Sequence, residues 1–119
     1  MSKRADSDYL SDILESMHRI KEYTGTMTYD QFLNDIKSQD AVIRNLETIG
    51  EAAKCLSSRL RKKYADISWK GMAGVRDRLM HQYFGVNLDI VWDIVNVEIP
   101  ALESKIESIV QQEQKTDKS

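Results

Sequence analysis

Hydrophobic spacing decides the fold class of this chain before any motif is considered. Val42, Leu46, Ile49, Ala53, Leu56 and Leu60 step by four and three residues in alternation, which keeps them all on one side of an α-helix. A half-buried strand would alternate at every second residue, and no segment of the 119 residues does so. Leu10, Ile13, Leu14, Met17 and Ile20 make an earlier stripe, with Gly25 placed to stop it. Thr28-Tyr-Asp-Gln31 has capping-box spacing for a short second helix. Ser38 or Asp40 offers an N-cap to the third.

The remaining helices follow the same rule. Ser68 can cap a helix carrying Trp69, Met72, Val75 and Leu79, which then meets the turn residues Phe84-Gly85-Val86-Asn87. His81 and Tyr83 are therefore expected at a helix end beside a loop. If that helix persisted, Arg76 and Tyr83 would share a face about 10 Å apart. The final stripe, Leu88, Trp92, Val95, Ile99, Leu102, Ile106 and Ile109, keeps its phase across Pro100. Proline costs about 3 kcal/mol inside a helix. Retained phase therefore predicts a kink, or a brief interruption between nearly coaxial segments. The polar run at about 111–119 has no periodicity and is expected to fray. The fold expected is all-α, an up-and-down bundle of four main helices and one short one, forming a single domain over residues 1–119.

Charge and cysteine content narrow the function classes. A net charge of -2 excludes a protein that grips long duplex by charge alone, so any RNA site must be local or shared with a partner. One cysteine, Cys55, rules out an internal disulfide framework and suits a reducing cytoplasm. No apolar run approaches the roughly 20 residues that cross a bilayer. The Met-Ser-Lys-Arg start, followed by acidic residues, lacks the apolar core of a signal peptide. The chain reads as cytoplasmic, with no membrane contact.

Chemistry concentrates in Arg76-Asp-Arg-Leu-Met-His81-Gln-Tyr83. A guanidinium is a permanent forked cation that matches a phosphate, and an imidazole exchanges protons near neutral pH. Arg76 could neutralise charge on a phosphoryl group while His81 transfers protons. Taken singly, each has a bland reading. Arg76 would pair with Asp77, Asp89 or a glutamate, His81 would cap a helix, and Tyr83 would be half-buried. On the polar side of the third helix, Arg44, Glu47, Glu51 and Lys54 are ordinarily a solvated face. The sharper reading has Glu51 orienting Arg76 and Arg44 lending charge to a cleft between two copies. Asp77 joins Arg44 and Glu51 as a supporting position. Gly71 and Gly74, and with them Gly50, would admit another backbone. The basic cluster Arg59-Leu-Arg61-Lys-Lys63 is a solvated helix end or a contact for an RNA backbone. His18 and His81 lie far apart with no Cys/His cluster of ligand spacing, so neither a metal nor another cofactor is expected.

Ala41-Val-Ile-Arg-Asn-Leu-Glu-Thr-Ile-Gly-Glu-Ala-Ala53, Ile67-Ser-Trp69, the Arg76/His81/Tyr83 stretch and Phe84-Gly-Val-Asn-Leu-Asp-Ile-Val-Trp92 together resemble the HepT toxins of the HEPN superfamily. The likeness runs from about Asp8 to Val110. It implies a small all-helical ribonuclease toxin, working as a homodimer that cuts tRNA or mRNA without a metal. It further implies silencing by a MntA-type nucleotidyltransferase antitoxin, which transfers AMP onto the tyrosine of the motif. The matching positions here are Arg76 and His81 for catalysis and Tyr83 for modification. Two rivals stand beside it. One is a non-catalytic HEPN companion that binds a nucleotide or substrate for a nucleotidyltransferase. The other is a helical interaction module in which the Arg/His/Tyr spacing is coincidence.

Overall fold

A computed structural model describes residues 4–81 and 85–118, the side chains of His81 and of residues 116–118 excepted. In chain order the elements are α1 (Asp6–Thr24), α2 (Tyr29–Leu33), α3 (Ile36–Cys55), α4 (Ser58–Lys63), α5 (Trp69–Ala73) and α6 (Val75–Leu79). Two short strands follow, β1 (Met80–His81) and β2 (Gly85–Val86). The chain closes with α7 (Leu88–Asp93), a π-helical turn (Ile94–Glu98) and α8 (Ile99–Lys118). The α-helical expectation holds throughout, save for one two-residue antiparallel pair.

The stripes read from the sequence are the core. Leu10, Ile13, Met17 and Ile20 of α1 are sealed against Val42, Leu46, Ile49 and Ala53 of α3, and Ile106 and Ile109 of α8 join the same cluster. α1 packs along α3 and α8 along α1, while α5 and α6 lie across α3. Phe32 of the short α2 is fully buried, its ring 5.2 Å from that of Trp92, so α2 acts as a plug between the main helices.

Local chemistry explains where helices begin. Thr28 and Gln31 form the expected capping box: Gln31 N–H donates to Thr28 Oγ1, and Thr28 N–H to Gln31 Oε1. Ser68 Oγ accepts from Gly71 N–H, and Asn87 Oδ1 from the N–H groups of Asp89 and Ile90. The cap of α3, however, is Asp35, not Ser38 or Asp40. Asp35 accepts from both the N–H and the hydroxyl of Ser38, which holds its carboxyl below the usual range.

Three expectations need correction and one is refined. First, the third stripe is not one helix. Leu56 turns extended (ψ 144°), and Ser57 starts α4 by accepting from Leu60 N–H. Asp6 draws the break toward α1, accepting from Ser57 N–H at 2.8 Å and from its hydroxyl at 2.6 Å. Leu56 and Leu60 stay buried because the interruption preserves their side, which is why spacing alone hid it. Second, the Trp69–Leu79 helix divides at Gly74. Third, and as a refinement, the brief interruption expected at Pro100 takes the form of a π-helical turn. The helix widens just ahead of the proline, where a ring without N–H would otherwise meet the preceding carbonyls. Fourth, the polar run after Val110 is not irregular but continues α8 to Lys118. Glu113 is buried within it, accepting from Arg59 (2.7 Å), Lys63 (2.9 Å) and the Tyr64 hydroxyl (2.8 Å).

Candidate functional site

Arg76 stands exposed on the single turn of α6, held over the C-terminal half of α3. The approach depends on Gly50 of α3. A Cβ there would lie 3.0 Å from the Met72 carbonyl oxygen and 3.2 Å from Val75 Cγ1. Close backbone approach thus occurs at Gly50, inside the protomer. At Gly71 and Gly74 a Cβ would meet atoms of their own turn, Ser68 Oγ and the Lys70 carbonyl. Between α3 and α5–α6 lies a cavity of about 110 Å³ lined by Glu47, Gly50, Glu51, Lys54, Arg76 and Asp77, among others.

The supporting residues divide. Glu51 and Asp77 share this cavity with Arg76, but Glu51 bonds Lys54 at 3.3 Å and makes no hydrogen bond to Arg76. Arg44, two turns earlier on α3, opens into a separate groove with Ser16, Arg19, Tyr23 and Asp40. Within one chain it does not reach the Arg76 cavity.

Arg76 itself has no ion pair or hydrogen bond among the described residues. The bland role anticipated for it falls to its neighbour. Arg78 makes a two-pronged bond to Glu98, at 3.0 and 2.8 Å, and clamps α6 to the π-turn. The Arg78 contact pulls the Glu98 carboxyl below its ordinary value, and Arg78 is raised in turn. Nothing local in the sequence marked this pair, whose members are 20 residues apart.

The helix carrying Arg76 ends at Leu79, because Met80 turns extended (ψ 129°). The Leu79 carbonyl then accepts from Asn87 N–H at 2.6 Å. Met80 pairs with Val86 and His81 with Gly85, whose φ of +80° suits a residue without a side chain. His81 thus sits on β1, past the helix end and not at a helix cap. The shared helical face proposed for Arg76 and Tyr83 does not exist, since the helix stops four residues short of Tyr83. Tyr83 and the His81 side chain lie outside the described residues. By helix and strand rise, the backbones of Arg76 and His81 are at most about 11 Å apart.

A possible cation-binding group occurs elsewhere. His18, Glu103 and Glu107 offer ligand atoms within 4.8 Å of one another on α1 and α8. Lys21 already supplies positive charge to Glu103 at 2.8 Å. No helix among the described residues is long and apolar enough to cross a membrane.

Comparison with known proteins bears on this geometry. The family model described as "Ribonuclease HepT-like" matches residues 13–109, which include Arg44, Glu51, Arg76, His81 and Tyr83. A Methanocaldococcus jannaschii protein named as an RNase is 49% identical, covering 92% of this chain and 91% of its own. "Probable ribonuclease HepT" of Thermococcus cleftensis is 43% identical over 90% of this chain and 97% of its own. A Caldanaerobacter subterraneus protein, also named as an RNase, is 40% identical over 88% and 94%. No solved structure matches.

Proposed function

The chain belongs to the HepT-like ribonuclease family of the HEPN superfamily, and we propose that it is a metal-independent endoribonuclease toxin acting through Arg76 and His81. The observation that carries the assignment to Arg76 is its freedom. Arg78 is locked on Glu98, whereas the exposed Arg76 guanidinium has no partner among the described residues and stands five positions before the only histidine of the motif. An arginine kept for structure would be paired; one kept for a substrate phosphate would be left open.

The chemistry is a transesterification. The ribose 2′-oxygen attacks the adjacent phosphorus as it loses its proton, and the bond to the 5′-oxygen breaks as that oxygen gains one. The products are a 2′,3′-cyclic phosphate and a 5′-hydroxyl. His81 carries the protons, an effect worth about 10²–10⁴-fold. Arg76 stabilises the charge gathering on the phosphoryl oxygens. One imidazole cannot be base and acid in the same instant, so a two-fold dimer supplies the second.

Control acts at Tyr83. A MntA-type nucleotidyltransferase joins its hydroxyl to the α-phosphorus of ATP and releases pyrophosphate. The bound adenylate places bulk and negative charge beside the Arg76/His81 pair and excludes RNA.

The test is cleavage of RNA by purified wild type, His81→Ala, Arg76→Ala and Tyr83→Phe. His81→Ala and Arg76→Ala lose activity by at least about 10²-fold while keeping their helical content. EDTA leaves wild type unaffected. Tyr83→Phe cleaves normally but escapes silencing by the nucleotidyltransferase and ATP. Cleavage that survives His81→Ala, or that requires a divalent ion, contradicts the mechanism. Equal silencing of Tyr83→Phe means that the partner inhibits by contact alone.

A further inference from the structure

The basic run on α4 is split by the fold into two pairs with different tasks. Arg59 and Lys63, one helical turn apart, both turn to Glu113 of α8 and hold the end of that helix. Arg61 and Lys62 point elsewhere. With Lys70 of α5 they line a groove of about 400 Å³ between α4 and α5, together with Ser58, Ser68 and Trp69. No carboxylate lines it, and none of its three cations has an ion pair among the described residues. The Nε–H of Arg61 is buried without a hydrogen-bond acceptor among the described residues, so that side chain is committed to no internal carboxylate or carbonyl.

We infer that this groove is a second contact for the RNA backbone, binding phosphates beside the scissile one. The inference rests on the ribonuclease reading of the chain. Arg61 would meet a phosphate through its guanidinium prongs. Lys62 and Lys70 would add charge from the rim, and the Ser58 hydroxyl a hydrogen bond. The groove is close enough to serve the same strand. Lys70 and Arg76 are six residues apart, so their backbones are separated by no more than about 20 Å even if fully extended. It also resolves a conflict in the composition. With a net charge of -2 the molecule cannot attract RNA as a whole, so attraction must come from a patch where cations have been relieved of their carboxylates.

The test uses a fluorescent 20-nucleotide 2′-O-methyl RNA, which lacks the attacking hydroxyl, and fluorescence anisotropy over a range of salt. The triple variant Arg61→Gln/Lys62→Gln/Lys70→Gln is expected to bind about tenfold more weakly. Its slope of log K against log salt should fall by about two, the release expected for three phosphate contacts on a single strand. On unmodified RNA its KM rises while kcat stays near wild type. Lys37→Gln, at the start of α3, changes neither. Should the triple variant fold poorly, Lys62→Gln/Lys70→Gln at the exposed positions must still lower the slope by about 1.4. Wild-type cleavage with an unchanged slope in the folded variant overturns the groove and leaves the ribonuclease reading standing. A wild type that neither binds nor cleaves RNA overturns both. Loss of binding to poly-glutamate in the variant, with RNA binding intact, would make the groove a protein-docking site and also overturn the inference.

Discussion

Glu113 shows how much one side chain can contribute in a region that looks featureless in sequence. Its carboxyl is pulled down to about 2 from 4.5, chiefly by the Arg59 hydrogen bond and then by Lys63, with Tyr64 adding to them against the cost of burial. A folded-state pKa below the unfolded one means stability that is fully present above about pH 4.5. That stability is lost as pH falls from there toward 2. Arg59 and Lys63 are 58% and 41% exposed, so screening holds the energy to the low end for charged hydrogen bonds. Glu113→Gln should cost about 1–2 kcal/mol at pH 7. Denaturant midpoints should show that gap closing between pH 4.5 and 2, as wild type becomes protonated. A gap that stays constant across that range would mean the carboxylate charge contributes nothing.

At the scale of elements, the position of α6 on α3 decides where Arg76 is held. Alanine is the better helix former by about 1 kcal/mol, yet at Gly50 its methyl would press on the Met72 carbonyl and Val75 Cγ1 at 3.0 and 3.2 Å. Carbonyl oxygen at the end of the one-turn α5 has little room to give, and overpacking costs about 1–3 kcal/mol. Gly50→Ala is therefore expected to destabilise by about 1 kcal/mol net and to lower cleavage by displacing α6. Gly74→Ala is the control, since its nearest neighbour, the Lys70 carbonyl oxygen, is at an ordinary 3.4 Å. Thermal unfolding and initial cleavage rates of the two variants check this, and equal behaviour would remove Gly50 from the account of the site.

For the whole molecule, the proposed chemistry calls for two copies. Arg44 stands on the same polar side of α3 as Glu51 but outside the Arg76 cavity of its own chain, so any charge it lent to a shared cleft would have to come across an interface. A two-fold dimer should show a light-scattering mass twice the 13.7 kDa of the chain. Specific activity should fall when the protein is diluted below the dimer's dissociation constant. Full activity in a strictly monomeric sample would rule the shared cleft out.

Residue spacing was enough to determine the helical class, the buried faces of α1, α3 and α8 and the caps at Thr28 and Ser68, while the quoted segments carried the resemblance that identified the family. Each of these depends on neighbours a turn or less away, or on residue identities that carry their chemistry wherever they are placed. Spacing could not find the break at Leu56, because the interruption keeps the apolar phase and is held by Asp6, 51 residues distant. Nor could it show that α8 continues past Val110, since Glu113 is buried by cations from another helix. The end of the motif helix at Leu79 was hidden for the same reason, as the Leu79 carbonyl is taken by Asn87 N–H across a strand pair. The division of labour among the arginines was likewise tertiary. Arg76 and Arg78 are two residues apart and chemically identical, and only the approach of Glu98 leaves one locked and the other open.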